Sequence, residues 1–372
     1  MSWNGHQHRR RKIALIKYIG SKRALLTHIT GVIDQLVSPG GLVVDLFSGT
    51  SRVGHALKGM GHQVWSNDQN TYAHTLATCY VQADRERWEA PARKLISELS
   101  RLPGRAGYFT DTFCERSRYF QPKNGARIDA MREHIERLDL DPELKAIVLV
   151  SLMEAADRVD STTGVQMAYL KQWAARSYND IELRFPAVQP SVAGGRCMAT
   201  QGDAEVVSAK IDADLVYLDP PYNQHSYLGN YHIWESLVLW DKPSVYGIAC
   251  KREDCRTRKS AFNGKRAIFP AMEAVLNNIK TKALVVSFNN EAYISRLEME
   301  GLLKGRGKLT VIEMTHDRYV GARIGIYNPS GEKVGKVGHL KNSEYLYVVT
   351  QEDVHFESPA ARPFQSLQVS TI

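Results

Sequence analysis

The stretch from Gly41 to Asp68 constrains the fold more than any other part of this sequence. It begins with a buried apolar strand that has Asp45 near its end, followed by a turn of small residues. A helix then runs from about Ser51 to Gly59, and a second strand ends at Asp68. A strand, tight turn, helix and strand in this order form a parallel βαβ unit. The sequence therefore predicts an α/β fold of the Rossmann-like type.

The turn of this unit indicates which ligand the sheet binds. Ligands of open α/β sheets lie at the carboxyl ends of the strands, where Asp45 and Asp68 are placed. The turn "FSGTS" contains only Gly49 and lacks the additional glycines that let a backbone approach a pyrophosphate. We therefore expect a nucleoside cofactor, with Asp68 accepting hydrogen bonds from its ribose hydroxyls.

A later strand runs into "DPPY", which predicts a site for an amino group. Two successive prolines extend the backbone and cannot donate hydrogen bonds, so the Asp219 carboxylate and the Pro220 carbonyl are acceptors. Each would accept one hydrogen of an exocyclic NH2, which frees the nitrogen lone pair to attack a methyl group. Tyr222 offers an aromatic face on which a planar heterocycle such as adenine stacks.

Helical patterns occupy the region between the two halves of the predicted sheet. The spacing of apolar residues predicts four helical segments, at 72–99, 125–138, 142–158 and 167–177. Basic residues (lysine and arginine) are as frequent in this region as acidic residues (aspartate and glutamate). If this region binds DNA, it does so through one face and not through overall charge.

Composition limits the partners and the compartment. The formal charge of +8 favours polyanionic partners, and five scattered cysteines suit a reducing cytosol. The amino terminus has no apolar signal region, and the longest apolar run contains Glu154. We therefore expect a cytoplasmic protein without a membrane span, and neither the cysteine nor the histidine spacing predicts a metal site.

Five short motifs give this sequence a family resemblance. "KYIGSK", "DLFSGT", "SND", "QGDA" and "DPPYN", in that order, resemble the alpha-group adenine-N6 DNA methyltransferases, which include the DNA adenine methylase and type II restriction-associated enzymes. The resemblance covers roughly residues 13–80 and 196–350. It implies a Rossmann-like methyltransferase domain, S-adenosylmethionine as methyl donor and N6 of a flipped adenine in double-stranded DNA as acceptor.

The resemblance also implies a domain organisation. Residues 81–195 would be a helical target-recognition insert, residues 1–12 and 352–372 would be loose tails, and a cognate restriction endonuclease could act on the same DNA site. Three alternatives stay open on the residues alone: an RNA adenine methyltransferase, a DNA cytosine-N4 methyltransferase, and a catalytically inactive DNA-binding subunit.

Site residues follow from the resemblance motif by motif. Asp219, Pro220 and Tyr222 would be catalytic, and Asp219 would also lie beside the cofactor. Tyr18 and Lys22 would contact the methionine end of the cofactor, Asp45 its amino group and Asp68 its ribose. Asp203 would contact its adenine amino group, and Phe47 and Gly49 of the turn would also bind the cofactor. The sequence departs from the family at Ser51, where glycine is common, and at Tyr18, where tryptophan is frequent.

A basic segment follows the DPPY motif. Residues 251–266 contain seven basic and two acidic side chains with few apolar ones, which is typical of a loop. We expect this loop to leave the sheet at the edge where a duplex must lie for a flipped base to reach Asp219. The sequence therefore predicts phosphate contacts by Arg256, Arg258 and Lys259.

Overall fold

The centre of the fold is an eight-stranded sheet. A computed structural model describes residues 16–20, 22, 24–317, 341–354, 356 and 366–371 of the chain, so the predicted tail 1–12 lies outside the described residues. In chain order the strands are β1 (Leu42–Asp45), β2 (Gln63–Asp68), β3 (Met198–Gln201), β4 (Asp212–Leu218), β5 (Val245–Tyr246), β6 (Lys251–Arg252), β7 (Lys280–Asn289), β8 (Lys308–Asp317), β9 (Lys341–Thr350) and β10 (Ser366–Thr371). The short β5 and β6 form a separate two-stranded ribbon.

The order across the main sheet is β10-β8-β9-β7-β4-β1-β2-β3. The strands β3, β2, β1, β4 and β7 pair in parallel, whereas β7 with β9, β9 with β8 and β8 with β10 pair antiparallel. Strand β1 lies between β2 and β4, so the chain reverses its direction of travel across the sheet at this point. Such a switch point opens a crevice at the carboxyl ends, and the predicted α/β, Rossmann-like sheet is confirmed.

Helices cover the connections between the strands. They are α1 (Leu26–Leu36), α2 (Arg52–Gly59), α3 (Thr71–Ala77), α4 (Arg85–Arg101), α5 (Tyr108–Thr110), α6 (Pro122–Glu136), α7 (Pro142–Arg158), α8 (Ala204–Ser208), α9 (Tyr227–Asn230), α10 (His232–Leu239), α11 (Ile268–Asn278) and α12 (Arg296–Leu303). Wider π-helical turns follow α3 at residues 78–82 and α5 at residues 111–115.

The helices between β2 and β3 share a core with the DPPY half of the chain. Helix α7 buries thirteen of its seventeen residues, because its apolar side chains occupy all sides and not one stripe. Its neighbours in the same buried cluster include Trp88 of α4, Ile128 of α6, and Tyr231 and Trp234 at the start of α10. None of the helices in the described part of the chain is long and apolar enough to cross a membrane.

The predicted helix at 72–99 is two helices, since α3 ends at Ala77 and α4 begins only at Arg85. Two further predictions of local structure are wrong. The predicted helix at 167–177 is an irregular segment that contains only a short 3-10 turn, Ala175–Tyr178. Its start is tied to α9 by Gln166, whose backbone N–H donates to the carbonyl of Asn230, 2.8 Å away. The other error concerns the loose tail 352–372, where residues 366–371 form β10 along the edge of β8. That strand depends on a partner distant in sequence, which local patterning does not reveal.

Close packing at Gly54 fixes the distance between α2 and β2. A Cβ atom at this position would lie 2.7 Å from Ser66 Oγ and 3.0 Å from Val81 Cγ2, closer than side chains tolerate. The backbone of Gly54 also donates a hydrogen bond to the Asp45 carboxylate. The glycine therefore lets the helix start directly behind the carboxyl end of β1.

We expect Gly54→Ala to destabilise the protein by about 1–3 kcal/mol, because the extra methyl group overpacks the contact between α2 and β2. Urea unfolding followed by circular dichroism measures this change. Gly301→Ala is the matched control: this exposed residue of α12 has no atom within 4 Å of its added Cβ, and alanine should stabilise the helix by up to about 1 kcal/mol. Equal unfolding midpoints for both variants would contradict the packing argument.

Candidate active site

A cavity opens at the carboxyl ends of the parallel strands. Residues from the ends of β1, β2 and β4 line it, and concave sites at a switch point of this kind bind small ligands. All eight residues that the sequence predicts around the cofactor line it, namely Tyr18, Lys22, Asp45, Phe47, Gly49, Asp68, Asp203 and Asp219. The fold thus brings these residues to one place, although they are far apart in the sequence.

The turn after β1 is shaped by two left-handed residues. Gly49 has φ +50°, and its N–H donates to Asp68 Oδ2 at 3.0 Å. Ser51, at the position where glycine is common in the resembling family, also has a positive φ of 56° and is fully buried. A left-handed serine costs about 1–2 kcal/mol, so the surrounding packing holds this turn in a strained form.

Asn67 connects the ends of three strands around this turn. Its carbonyl accepts from Ser48 N at 2.8 Å, and its Nδ2 donates to the carbonyls of Leu46 and Gly202 at 3.2 and 3.1 Å. Asp68 follows directly and also accepts from the N–H of Asn70 at 2.9 Å. Sequence reasoning missed Asn67, although it lies in the quoted "SND" motif.

Asp45 is a buried carboxylate without a cationic partner among the described residues. It is 1% exposed, and its Oδ1 has no hydrogen-bond partner within that part of the chain. Burial, followed by the charges of Asp219 and Asp68, raises the pKa of Asp45 to about 8. A buried acceptor of this kind calls for a ligand that brings a donor and a positive charge.

Lys22 forms an ion pair with Asp219, at the end of β4. Its Nζ lies 3.0 Å from Asp219 Oδ1 and 3.7 Å from Glu344 Oε2. Burial raises the pKa of Asp219 to about 6, because it outweighs the nearby lysine, which lowers the pKa. For Lys22, burial lowers the pKa, but the two carboxylates outweigh it and the pKa is raised well above its usual value.

Glu344 is a member of the site that sequence reasoning missed. It lies near the start of β9, which pairs antiparallel with β7 so that Glu344 stands opposite Asn289 at the end of β7. The start of an antiparallel strand shares an edge with the carboxyl ends of its parallel neighbours. Only the pairing of β9 with β7 therefore brings this acid to Lys22.

Three stacked tyrosines form the wall beside Lys22. Tyr18 lies between Tyr227 and Tyr231, with ring centroids at 5.1 and 4.4 Å and interplanar angles of 4° and 12°. Its hydroxyl oxygen lies 3.0 Å from that of Tyr72 at the start of α3. The sequence predicted Tyr18 at this site but not its two stacking partners.

The remaining DPPY residues and Asp203 are also placed. Pro220 is buried at the end of β4, and Tyr222 packs near Phe288 with its backbone carbonyl accepting from Tyr293 N at 2.9 Å. Asp203 lines the cavity from the start of α8, whose first turn it caps by accepting from Glu205 N at 2.9 Å. Among the described residues, no group of three or more histidine, cysteine, aspartate or glutamate side chains could hold a metal ion.

The basic segment 251–266 is folded against the protein, and its charges differ in environment. Arg256 and Lys259 are exposed: Arg256 pairs with Glu253 at 3.4 Å, and Lys259 Nζ donates to the Cys255 carbonyl at 2.7 Å. Arg258 instead lines the cavity and is bound by two carboxylates. The three predicted phosphate contacts are therefore not equivalent.

A mostly parallel sheet with an acid-lined cavity at its switch point is typical of α/β proteins of the Rossmann-like class. Residues 18–299 match the family of D12 class N6 adenine-specific DNA methyltransferases. The chain belongs to this family and is a site-specific adenine DNA methyltransferase. A methyl donor is therefore required.

Curated relatives agree with this assignment. The chain is 29% identical over 348 residues to the type II methyltransferase M.NlaIII of Neisseria lactamica, covering 90% of this chain and 99% of that protein. It is 30% identical over 304 residues to the modification methylase StsI of Streptococcus sanguinis, covering 78% of this chain and 46% of the relative. For the type II methyltransferase M.FokI of Planomicrobium okeanokoites, identity is 30% over 310 residues, or 78% and 47% of the two chains. The chain thus spans about half the length of the last two relatives.

Proposed function

We propose that the cavity binds S-adenosylmethionine and that Asp219, Pro220 and Tyr222 present a flipped adenine of double-stranded DNA to it. The observation that carries this proposal is the unpartnered oxygen of buried Asp45. The cofactor has a primary amino group, which provides the cation and the donor that Asp45 lacks. The residues present therefore fit this cofactor.

The other cavity residues fit the remaining parts of the cofactor. Asp68 has two oxygens already engaged by backbone N–H groups, and their remaining lone pairs accept from ribose hydroxyls. Asp203, on the far side of the cavity, accepts from an adenine amino group, while Phe47 and Gly49 line the space between. Tyr18 and Lys22 lie at the methionine end.

The catalytic residues act by accepting hydrogen bonds. S-adenosylmethionine supplies an electrophilic methyl group when bound. The Asp219 carboxylate and the Pro220 carbonyl accept hydrogen bonds from the two N–H groups of the adenine amino group, so that the nitrogen lone pair is directed at the methyl carbon. The nitrogen would release one proton to solvent as it is methylated, and Tyr222 stacks on the base. Lys22 holds Asp219 ionised in the buried site, which keeps it an acceptor on both oxygens.

Asp219→Ala should abolish methylation, because it removes one of the two acceptors for the amino group, while cofactor binding survives in part. Long-read sequencing of DNA from a methylation-free host that expresses the protein identifies the modified base and its sequence motif. Asp212→Ala is the control, since this exposed acid lies at the opposite end of the same strand, β4. Wild-type methylation by the Asp219 variant would remove the central claim, and a modified base other than adenine in DNA would contradict the assignment.

The raised pKa of Asp45 gives the cofactor proposal a pH signature. At pH 7 a carboxyl with a pKa of about 8 is mostly protonated in the free protein, and it must ionise to pair with the amino group. Binding should therefore release protons at pH 7, with less release above pH 8. Calorimetry in buffers of different ionisation enthalpy measures the number of protons.

Asp45→Asn provides the matched comparison for that measurement. The variant should release fewer protons and bind the cofactor about one to two decades more weakly, since a charge-assisted hydrogen bond contributes about 1.5–3 kcal/mol. Unchanged proton release together with unchanged affinity would show that Asp45 does not meet the amino group.

We further propose that duplex DNA lies over the cavity mouth, that residues 81–195 read its sequence, and that Arg256 and Lys259 contact phosphates. Both side chains are exposed on the segment that also contributes Arg258 to the cavity wall, which supports this proposal. The type II names of the relatives support a partnership with a cognate restriction endonuclease that acts on the same site.

Changing Arg256 and Lys259 together to alanine should flatten the plot of log affinity against log salt by up to about 1.8, because each lost phosphate contact contributes about 0.9. Fluorescence anisotropy with labelled duplexes at several salt concentrations measures this slope, and the methylated sequence should not change. Lys210→Ala with Lys280→Ala is the control, since both exposed lysines flank the amino ends of the parallel strands. If the variant without Arg256 and Lys259 keeps the wild-type salt slope, the segment 251–266 is a solvated loop. If that variant methylates new sequences, the segment belongs to the recognition surface.

A further inference from the structure

The segment from Arg258 to Asn263 forms one wall of the cofactor cavity. Four of its residues line the space, namely Arg258, Ser260, Phe262 and Asn263. Phe262 is 4% exposed, and its ring meets that of Phe47 edge-on, with centroids 4.9 Å apart and an angle of 74°. The wall therefore packs directly on the turn that follows β1.

Ion pairs hold the first end of this wall. The Arg258 guanidinium lies 3.1 Å from Glu235 Oε1 and 3.1 Å from Asp254 Oδ2. Glu235, at 0% exposure, also accepts from the N–H groups of Thr71 and Tyr72 at 3.2 and 2.9 Å. These N–H groups begin α3, directly after the Asp68 turn. Through Glu235, Arg258 thus joins the wall to the end of β2.

Hydrogen bonds hold the second end. Asn263 Nδ2 donates to the carbonyl oxygens of Asn223 and His225, at 2.8 and 3.1 Å. Those two residues follow Tyr222 in the chain, so the side chain that closes the cavity wall also positions the loop after the DPPY motif. The ion pairs of Arg258 thus attach one end of the wall to the cofactor half of the sheet. The hydrogen bonds of Asn263 attach the other end to the loop after the DPPY motif.

We propose that Arg258 and Asn263 are cofactor-positioning residues that hold the 258–263 wall closed against S-adenosylmethionine. The inference rests on the proposed function, in which this cavity binds that cofactor. A wall fixed at both ends is already ordered before the ligand arrives, so less conformational entropy is lost on binding. Because Asn263 also holds the loop after the DPPY motif, the position of that loop depends on the closed wall. Cofactor binding is thereby linked to the site for the flipped base.

The test separates this role of Arg258 from the phosphate contact that its sequence context predicts. For Arg258→Gln, the dissociation constant of S-adenosylmethionine, measured by calorimetry without DNA, should rise about tenfold, equivalent to about 1.4 kcal/mol. The salt slope of DNA binding should stay at the wild-type value. Arg266→Gln is the matched control, because this exposed arginine lies in the same basic segment and does not line the cavity.

Asn263→Ala keeps the inference testable if the loss of Arg258 leaves buried Glu235 unpaired and unfolds the protein. It removes no charge, and it should also raise the dissociation constant of the cofactor severalfold. In steady-state assays of either folded variant, KM for the cofactor should rise by a larger factor than kcat falls, whereas a general loss of folded protein lowers kcat alone.

Three results would overturn the inference in distinguishable ways. Unchanged cofactor affinity in both variants would remove the positioning role while leaving the proposed function intact. Unchanged affinity in Arg258→Gln with a salt slope flattened by about 0.9 would return Arg258 to the phosphate contacts. Failure of the wild-type protein to bind S-adenosylmethionine would instead refute the proposed function, and the inference with it.

Discussion

Burial of carboxylates at one sheet edge is the constraint on which the site depends. The parallel strands end together, and this brings buried Asp45 and half-buried Asp68 and Asp219 into one cavity. Burial raises the pKa of each, and the charges of Asp68 and Asp219 raise that of Asp45 further. Ionisation of all three carboxyls at neutral pH therefore requires cations. The protein supplies Lys22 beside Asp219, and the bound cofactor is the source that we propose for Asp45.

Two basic side chains of the cavity, Lys22 and Arg258, are held by carboxylates from distant parts of the chain. Lys22 lies between Asp219 and Glu344, and Arg258 lies between Glu235 and Asp254. Each basic group therefore ties the cavity to an element outside the first βαβ unit. Buried ion pairs of this kind add little net stability by themselves, but breaking one leaves an uncompensated charge. They specify the geometry of the cavity more than they stabilise the fold.

The helices between β2 and β3 are also mechanically connected to the site. Tyr231 stacks on Tyr18 and belongs to the same buried cluster as α4, α6 and α7. Lys17, the neighbour of Tyr18, lies 2.9 Å from Asp160 of the segment that follows α7. A shift of these helices would thus be transmitted to Tyr18 through packed aromatic rings and a partly buried ion pair.

The acids of the cavity and its tight turn were predictable from the sequence, because these residues are local to strand ends. A strand end is marked in the sequence by an apolar run that stops, and Asp45, Asp68 and Asp219 each follow such a run. Glycine and proline then report on backbone shape, as Gly49 and the DPPY prolines do. Parallel pairing follows from the helical crossover, so the convergence of these ends needed no knowledge of long-range contacts.

Tertiary structure alone decided the features that depend on partners remote in sequence. Glu344 reaches the site only because β9 pairs antiparallel with β7, and β10 exists as a strand only because the edge of β8 is open to it. Arg258 looks like any basic residue of a charged loop, yet its position depends on Glu235, a buried acid in an apolar helix. Local patterning determines which segments become strands and helices and where they end. The partner of a side chain across the core is chosen by packing of the whole chain, for which a single sequence carries no local signal.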